Sequence, residues 1–166
     1  MNVLLTGGLG FIGSHTVIEL VNSDYNVIII DNLSNSKISV LENIYKLCDK
    51  NKITFYKGDI FEDEVINYIK SFFEKKIDLL ISDMSPNSTG NKKVDHLRIL
   101  SLVERVVDIS NLFLKEEGFI VIKIFQGGMY GDLMISLKES LKNIKNFKPR
   151  ASRKESPEMY LIAQKK

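Results

Sequence analysis

The chemistry of this chain starts at Thr6-Gly7-Gly8-Leu9-Gly10-Phe11-Ile12-Gly13. Gly7, Gly10 and Gly13 fall where a chain must turn tightly, where backbone must approach a phosphate, and where a helix must pack closely on a strand. The amides of a helix that opens on such a turn face an anion. Asp31 ends the next apolar run, Val27-Ile28-Ile29-Ile30, and offers a carboxylate to an adenosine ribose. Its charge disfavours a phosphate at that position, so this spacing favours NAD over NADP. The alternative is a glycine turn kept only for folding.

Few other residues carry chemistry by type alone. Cys48 is the one cysteine, so no internal disulfide forms, and no cysteine and histidine cluster has metal-ligand spacing. His15 and His96 are read as packing or capping residues. Lysine and arginine number 23 against 21 aspartates and glutamates. Near balance means that composition alone does not demand a polyanionic partner, yet nine basic residues against three acidic ones lie between Lys138 and Lys166. That segment either lies along phosphate or is a solvated surface. No basic leader precedes the first apolar run, and no apolar run approaches the roughly 18 residues of a membrane span. The expectation is a cytoplasmic protein.

Positioning these residues takes alternating strands and helices. Strands are expected at Asn2 to Thr6, Val27 to Ile30, Ile53 to Tyr56, Ile77 to Ser82 and Phe119 to Phe125. Between them come helices at Phe11 to Val21, Ser39 to Cys48, Glu64 to Phe73 and Val94 to Leu114. The last of these has a stripe of Leu97, Leu100, Val103, Val107 and Leu114 and stops at Gly118. A Gly127-Gly128 turn, a helix at Leu133 to Leu141, and weak strands at Ile144 to Lys148 and Met159 to Ala163 complete the pattern. An unbroken β-branched strand is buried on both faces, so the sheet is parallel. The fold expected is a single α/β domain with a doubly wound, mostly parallel Rossmann-like sheet and an antiparallel last strand.

Residues 1 to about 75, with "LLTGGLGFIGSHTVIEL", "VIIIDNLSNSK" and "ITFYKGDI", resemble the amino-terminal part of UDP-glucose 4-epimerase, of the extended short-chain dehydrogenases. The resemblance implies NAD contacts from Gly7, Gly10, Phe11, Ile12, Gly13, Asp31, Asn32, Asn35, Ser36, Asp59 and Ile60, the last two beside the adenine. That family's Tyr-x-x-x-Lys is missing, because no tyrosine here has a lysine four residues on. Epimerase chemistry is therefore not expected.

From about Ile77, "DLLISDMSPNSTG", "DHLRILSLVE", "FIVIKIFQGG" and "KPRASRKESPEMYLIA" resemble the carboxy-terminal half of the FtsJ-type ribosomal RNA methyltransferases. Those enzymes methylate a ribose 2′-hydroxyl with S-adenosylmethionine. The resemblance assigns Asp83, Lys123 and Glu158 to the family's Lys-Asp-Lys-Glu tetrad and leaves its first lysine without a counterpart. A lysine held against the hydroxyl takes or shares its proton, and carboxylates position the ammonium. Asp83 and Lys123, at the ends of adjacent strands, are expected to converge in the switch-point crevice.

Together these readings describe a hybrid joined between Gly58 and Ile77. Its expected role is a nucleotide-binding module that holds NAD, with no complete active site. The alternative is a residual RNA ribose methyltransferase that uses S-adenosylmethionine and touches RNA through its basic C-terminal segment.

Overall fold

A strand carrying four β-branched residues in a row has no polar face to turn to water, so it needs partners on both edges and cover on both faces. β2 (Asn26–Asp31) has them. It pairs in parallel with β1 (Asn2–Thr6) on one side and β3 (Ile53–Lys57) on the other. The free edge of β1 pairs in parallel with β4 (Ile77–Ser82). The structure is a computed structural model and describes residues 1–72, 76–85, 89–125, 130–150, 152–153 and 155–166. The expected turn at Gly127 and Gly128 and the expected helix end at Phe73 lie outside the described residues. The chain forms two compact units, Met1–Asp83 and Met84–Lys166. Among the described residues the seven-stranded sheet runs β3-β2-β1-β4-β5-β7-β6, mostly parallel as expected, with β7 antiparallel to its neighbours.

In the first unit, α1 (Phe11–Asn22) buries Gly13, Val17 and Val21 at four-residue intervals. The core gathers Leu5, Leu9, Val17, Val21, Val27, Ile29, Leu41, Ile44 and Ile53. Each such Val, Leu or Ile contributes about 1.5–3 kcal/mol by leaving water. α2 (Ser39–Leu47) supplies Leu41 and Ile44 to it. α3 (Asp63–Phe72) buries Val65, Ile66 and Ile69. A 3-10 turn at Lys50–Lys52, capped by the Asp49 carboxylate, leads into β3 and was not expected.

The second unit opens with α4 (Lys92–Phe113), whose first amides, those of Lys93 and Val94, donate to the Asn91 side chain. The buried stripe of α4 is Ile99, Val103, Val106, Ser110 and Phe113, at helical spacing. Leu97, expected inward, is 55% exposed. The helix also stops before Gly118. Leu114 is already extended (φ −72°, ψ 134°) and its side chain is fully buried. Lys165 Nζ donates to the carbonyls of Ser110 (3.3 Å), Asn111 (2.9 Å) and Leu114 (2.9 Å). A cation with three donors suits the negative end of a helix, and the Ser110 carbonyl also accepts the Leu114 amide. Gly118 lies inside β5 (Leu114–Phe125), just after Glu117 at φ 63°.

α5 (Tyr130–Ser140), β6 (Leu141–Phe147) and β7 (Glu158–Lys165) follow. β7 is inserted antiparallel between β5 and β6. The stripe register can be checked by urea unfolding. Ile99→Ala is expected to lower stability by about 2–5 kcal/mol. Leu97→Ala is expected to change it by no more than about 0.5 kcal/mol.

Candidate active site

Two groups of side chains answer to the expected site, one in each unit. In the first, Gly7 adopts φ 74° between β1 and α1, its amide donating to the Ile30 carbonyl at 2.9 Å. A Cβ on Gly13 would lie 2.2 Å from the Gly7 carbonyl oxygen, so the helix can press on the turn only with glycine there. α1 has no acidic residue in its first turn and no side-chain cap at Gly10. The positive end of its dipole therefore has no carboxylate of its own first turn against it. Leu9 is fixed from both ends: its side chain is in the core, and its amide donates to Asp31 Oδ2 at 2.9 Å. Phe11 and Ile12 are exposed, Phe11 at 86%, with its ring edge-on to His15 at 5.6 Å.

Asp31 is 8% exposed. Besides Leu9, its carboxylate accepts from the Leu33 amide (2.9 Å) and Ser36 Oγ (2.8 Å). A carboxylate has about four acceptor sites, so three are already taken up by the protein's own loops. Asp31 is thus first a tether and has little capacity left for a ribose. Asn32 donates to Asp59 Oδ2 at 2.9 Å, and Asp59 Oδ1 accepts the Phe61 amide at 3.0 Å. Ile60 is buried beside them, while Asn35 is exposed. Sequence reasoning passed over Thr6. Its hydroxyl is buried at the end of β1 without a hydrogen-bond partner among the described residues. A polar residue ending an otherwise apolar strand, directly before the glycine turn, was the available signal.

In the second unit, Lys123 on β5 is 7% exposed. It pairs with Tyr160 of β7, and Phe125 pairs with Glu158. Directly paired residues share a sheet face, as do residues two apart. Lys123, Phe125, Glu158 and Tyr160 therefore share one face, with Glu158 diagonal to Lys123 and within reach of a long side chain. Tyr160 was not expected at the site, and only the strand register shows it. Asp83 belongs to the first unit. It follows β4, half-buried, and its amide donates to the Thr6 carbonyl at 3.2 Å.

Among the described residues, no group of three His, Cys, Asp or Glu could hold a metal. Burial, followed by the charge of Asp49, pushes the Cys48 thiol up, away from nucleophilic thiolate. No described helix is long and apolar enough to cross a membrane.

The glycine turn after the first strand and the buried lysine on the fifth belong to a Rossmann-like α/β fold. The FtsJ-like methyltransferase family matches residues 37–166, and the chain belongs to that family. It is similar to ribosomal RNA large subunit methyltransferase E of Hydrogenovibrio crunogenus, with 43% identity over 115 residues, covering 69% of this chain and 56% of that protein. The chain spans about half the length of the curated relatives it matches. Among solved structures, a ribosomal RNA methyltransferase from Plasmodium falciparum shares the fold, with a TM-score of 0.75 at 22% identity over 99% of this chain and 85% of that one. A UDP-glucose 4-epimerase from Stenotrophomonas maltophila, solved with bound NAD, gives a TM-score of 0.56 at 29% identity. That likeness covers 67% of this chain and 33% of the epimerase.

These findings correct the expectation of an NAD-binding hybrid without a complete active site. The methyltransferase match begins at residue 37, upstream of the expected junction between Gly58 and Ile77, and takes in α2, β3, α3 and Asp59. The epimerase likeness reaches only a third of that enzyme. Physically, a glycine turn offers amides to any anion, and Asp31, largely engaged by Leu9, Leu33 and Ser36, does not single out NAD.

Two substitutions test the turn by urea unfolding with circular dichroism. Asp31→Ala leaves the Leu9 and Leu33 amides without their acceptor and is expected to cost about 1–3 kcal/mol for each amide left unsatisfied. Gly13→Ala forces helix and turn apart and is expected to cost about 1–3 kcal/mol.

Proposed function

We propose that the chain transfers a methyl group from S-adenosylmethionine to a ribose 2′-hydroxyl of RNA, with large-subunit ribosomal RNA, named in its relatives, as the substrate. The observation that carries this reading is Lys123, a lysine almost wholly removed from water on β5 with Glu158 diagonal to it on the neighbouring strand. Burying an ammonium is costly unless carboxylates and hydrogen bonds compensate, so structure alone seldom favours it.

The first unit suits the cofactor. The free N-terminal end of α1 at Gly10 suits the methionyl carboxylate, which is an anion as a diphosphate is. The Asp59 carboxylate and buried Ile60 suit the adenosine. Gly7 and Gly13 let backbone come close. When bound, S-adenosylmethionine supplies a methyl group made electrophilic by its sulfonium.

The chain's own residues do the rest. In its neutral amine form, Lys123 Nζ accepts a hydrogen bond from the ribose hydroxyl and takes its proton as the oxygen becomes nucleophilic, ending as the ammonium. Glu158, diagonal to it across the β5–β7 ladder, orients the amine and stabilises the ammonium that results. Burial around Lys123 keeps water from competing for the proton.

Labelled methyl transfer from S-adenosylmethionine to large-subunit ribosomal RNA tests this. Lys123→Ala is expected to lower kcat by about 10²–10⁴-fold, with cofactor affinity by calorimetry unchanged. A folded chain that binds S-adenosylmethionine but transfers no methyl, or whose transfer survives Lys123→Ala, overturns the reading.

A further inference from the structure

Strand register extends the catalytic face to the edge of the sheet. Tyr160 pairs with Lys123 on one side and with Phe147 of β6 on the other. Phe147 therefore lies in line with Lys123 on the same face, two strand spacings or about 10 Å away. Lys145, two residues earlier and paired with Ile162, shares that face. β6 is the edge strand, and both residues are exposed, Phe147 at 52%.

The segment beyond Phe147 is folded back on itself. Lys148 Nζ donates to the Ser156 carbonyl at 2.8 Å, Ser152 N to Pro149 O at 2.9 Å, and Ser156 N to Arg153 O at 3.1 Å. Arg150 and Arg153, both exposed, lie in the chain between Phe147 and Glu158. An exposed aromatic among cations is what a single-stranded nucleic acid needs: a ring for one base and charges for the flanking phosphates.

Resting on the RNA-methylating reading above, we propose that Phe147, Lys145 and Arg150 form a platform for single-stranded RNA next to the nucleotide whose ribose meets Lys123. Phe147 stacks on a neighbouring base, and Lys145 and Arg150 neutralise phosphates. The positive surplus of the segment, nine basic residues against three acidic between Lys138 and Lys166, matches this occupant.

The test is fluorescence anisotropy of the full chain with a labelled single-stranded RNA oligonucleotide over a salt series, without cofactor. Phe147→Ala is expected to raise Kd roughly five- to hundredfold and leave the salt slope alone. Lys145→Gln with Arg150→Gln is expected to flatten the slope by about 0.7 per charge removed. Ile135→Ala, exposed on α5, should change neither. Unchanged binding by a folded Phe147→Ala overturns the platform. So does a β6 edge that instead pairs copies of the chain in sedimentation without RNA. Intact methyl transfer alongside unchanged Phe147→Ala binding sinks the platform alone. Binding lost in Phe147→Ala with no transfer by any variant sinks only the catalytic reading.

Discussion

The Asp31 carboxylate is the constraint on which the first unit's ligand-facing surface depends. It accepts hydrogen bonds from the glycine turn through Leu9 and from the β2–α2 loop through Leu33 and Ser36. Bonds to a buried charge are stronger than neutral ones, about 1.5–3 kcal/mol each. Because Leu9 also fills the core, the turn cannot relax without opening a cavity beneath it. The anion-facing end of α1 is thus preorganised by packing below and by a charge at its flank.

In the second unit the corresponding role falls to backbone ladders. Lys123, Tyr160, Phe125 and Glu158 keep their relation because β5 and β7 are in continuous register from Phe119 to Phe125. The opposite face of the same strands, with Ile120, Ile122, Ile124, Leu161 and Ala163, is fully buried. A slip by one residue would exchange the two faces, bringing Lys123 into the apolar layer. Core packing therefore protects the register of the chemistry.

What could be read from the sequence was what is local. The β-branched run at Val27 to Ile30 announced a central parallel strand, and the glycine turn announced a strand-to-helix join; both appear as expected. The end of α4 was illegible because Lys165, more than fifty residues later, supplies the donors that close it. The inward face of α4 was misread at Leu97 since hydrophobicity alone does not rank Leu97 above Ile99. Of the candidate site, Lys123 and Glu158 could be named from their motifs, whereas the alignment of Tyr160 and Phe147 with Lys123 exists only across strands. The cofactor was misjudged because sequence spacing shows where an acceptor such as Asp31 sits but not how many donors it already holds.

The placement of β7 has a consequence for how the second unit is made. Of the last three strands it is synthesised last, yet it is the one that joins the other two. During synthesis β5 and β6 wait with unsatisfied inner edges until a segment arrives to fill the gap, and the hydrogen bonds of both ladders then form together. Such late, non-local closure slows folding and leaves sticky strand edges open to a neighbouring nascent chain. The positively charged lysines along β6 would keep those edges apart while the gap stands open.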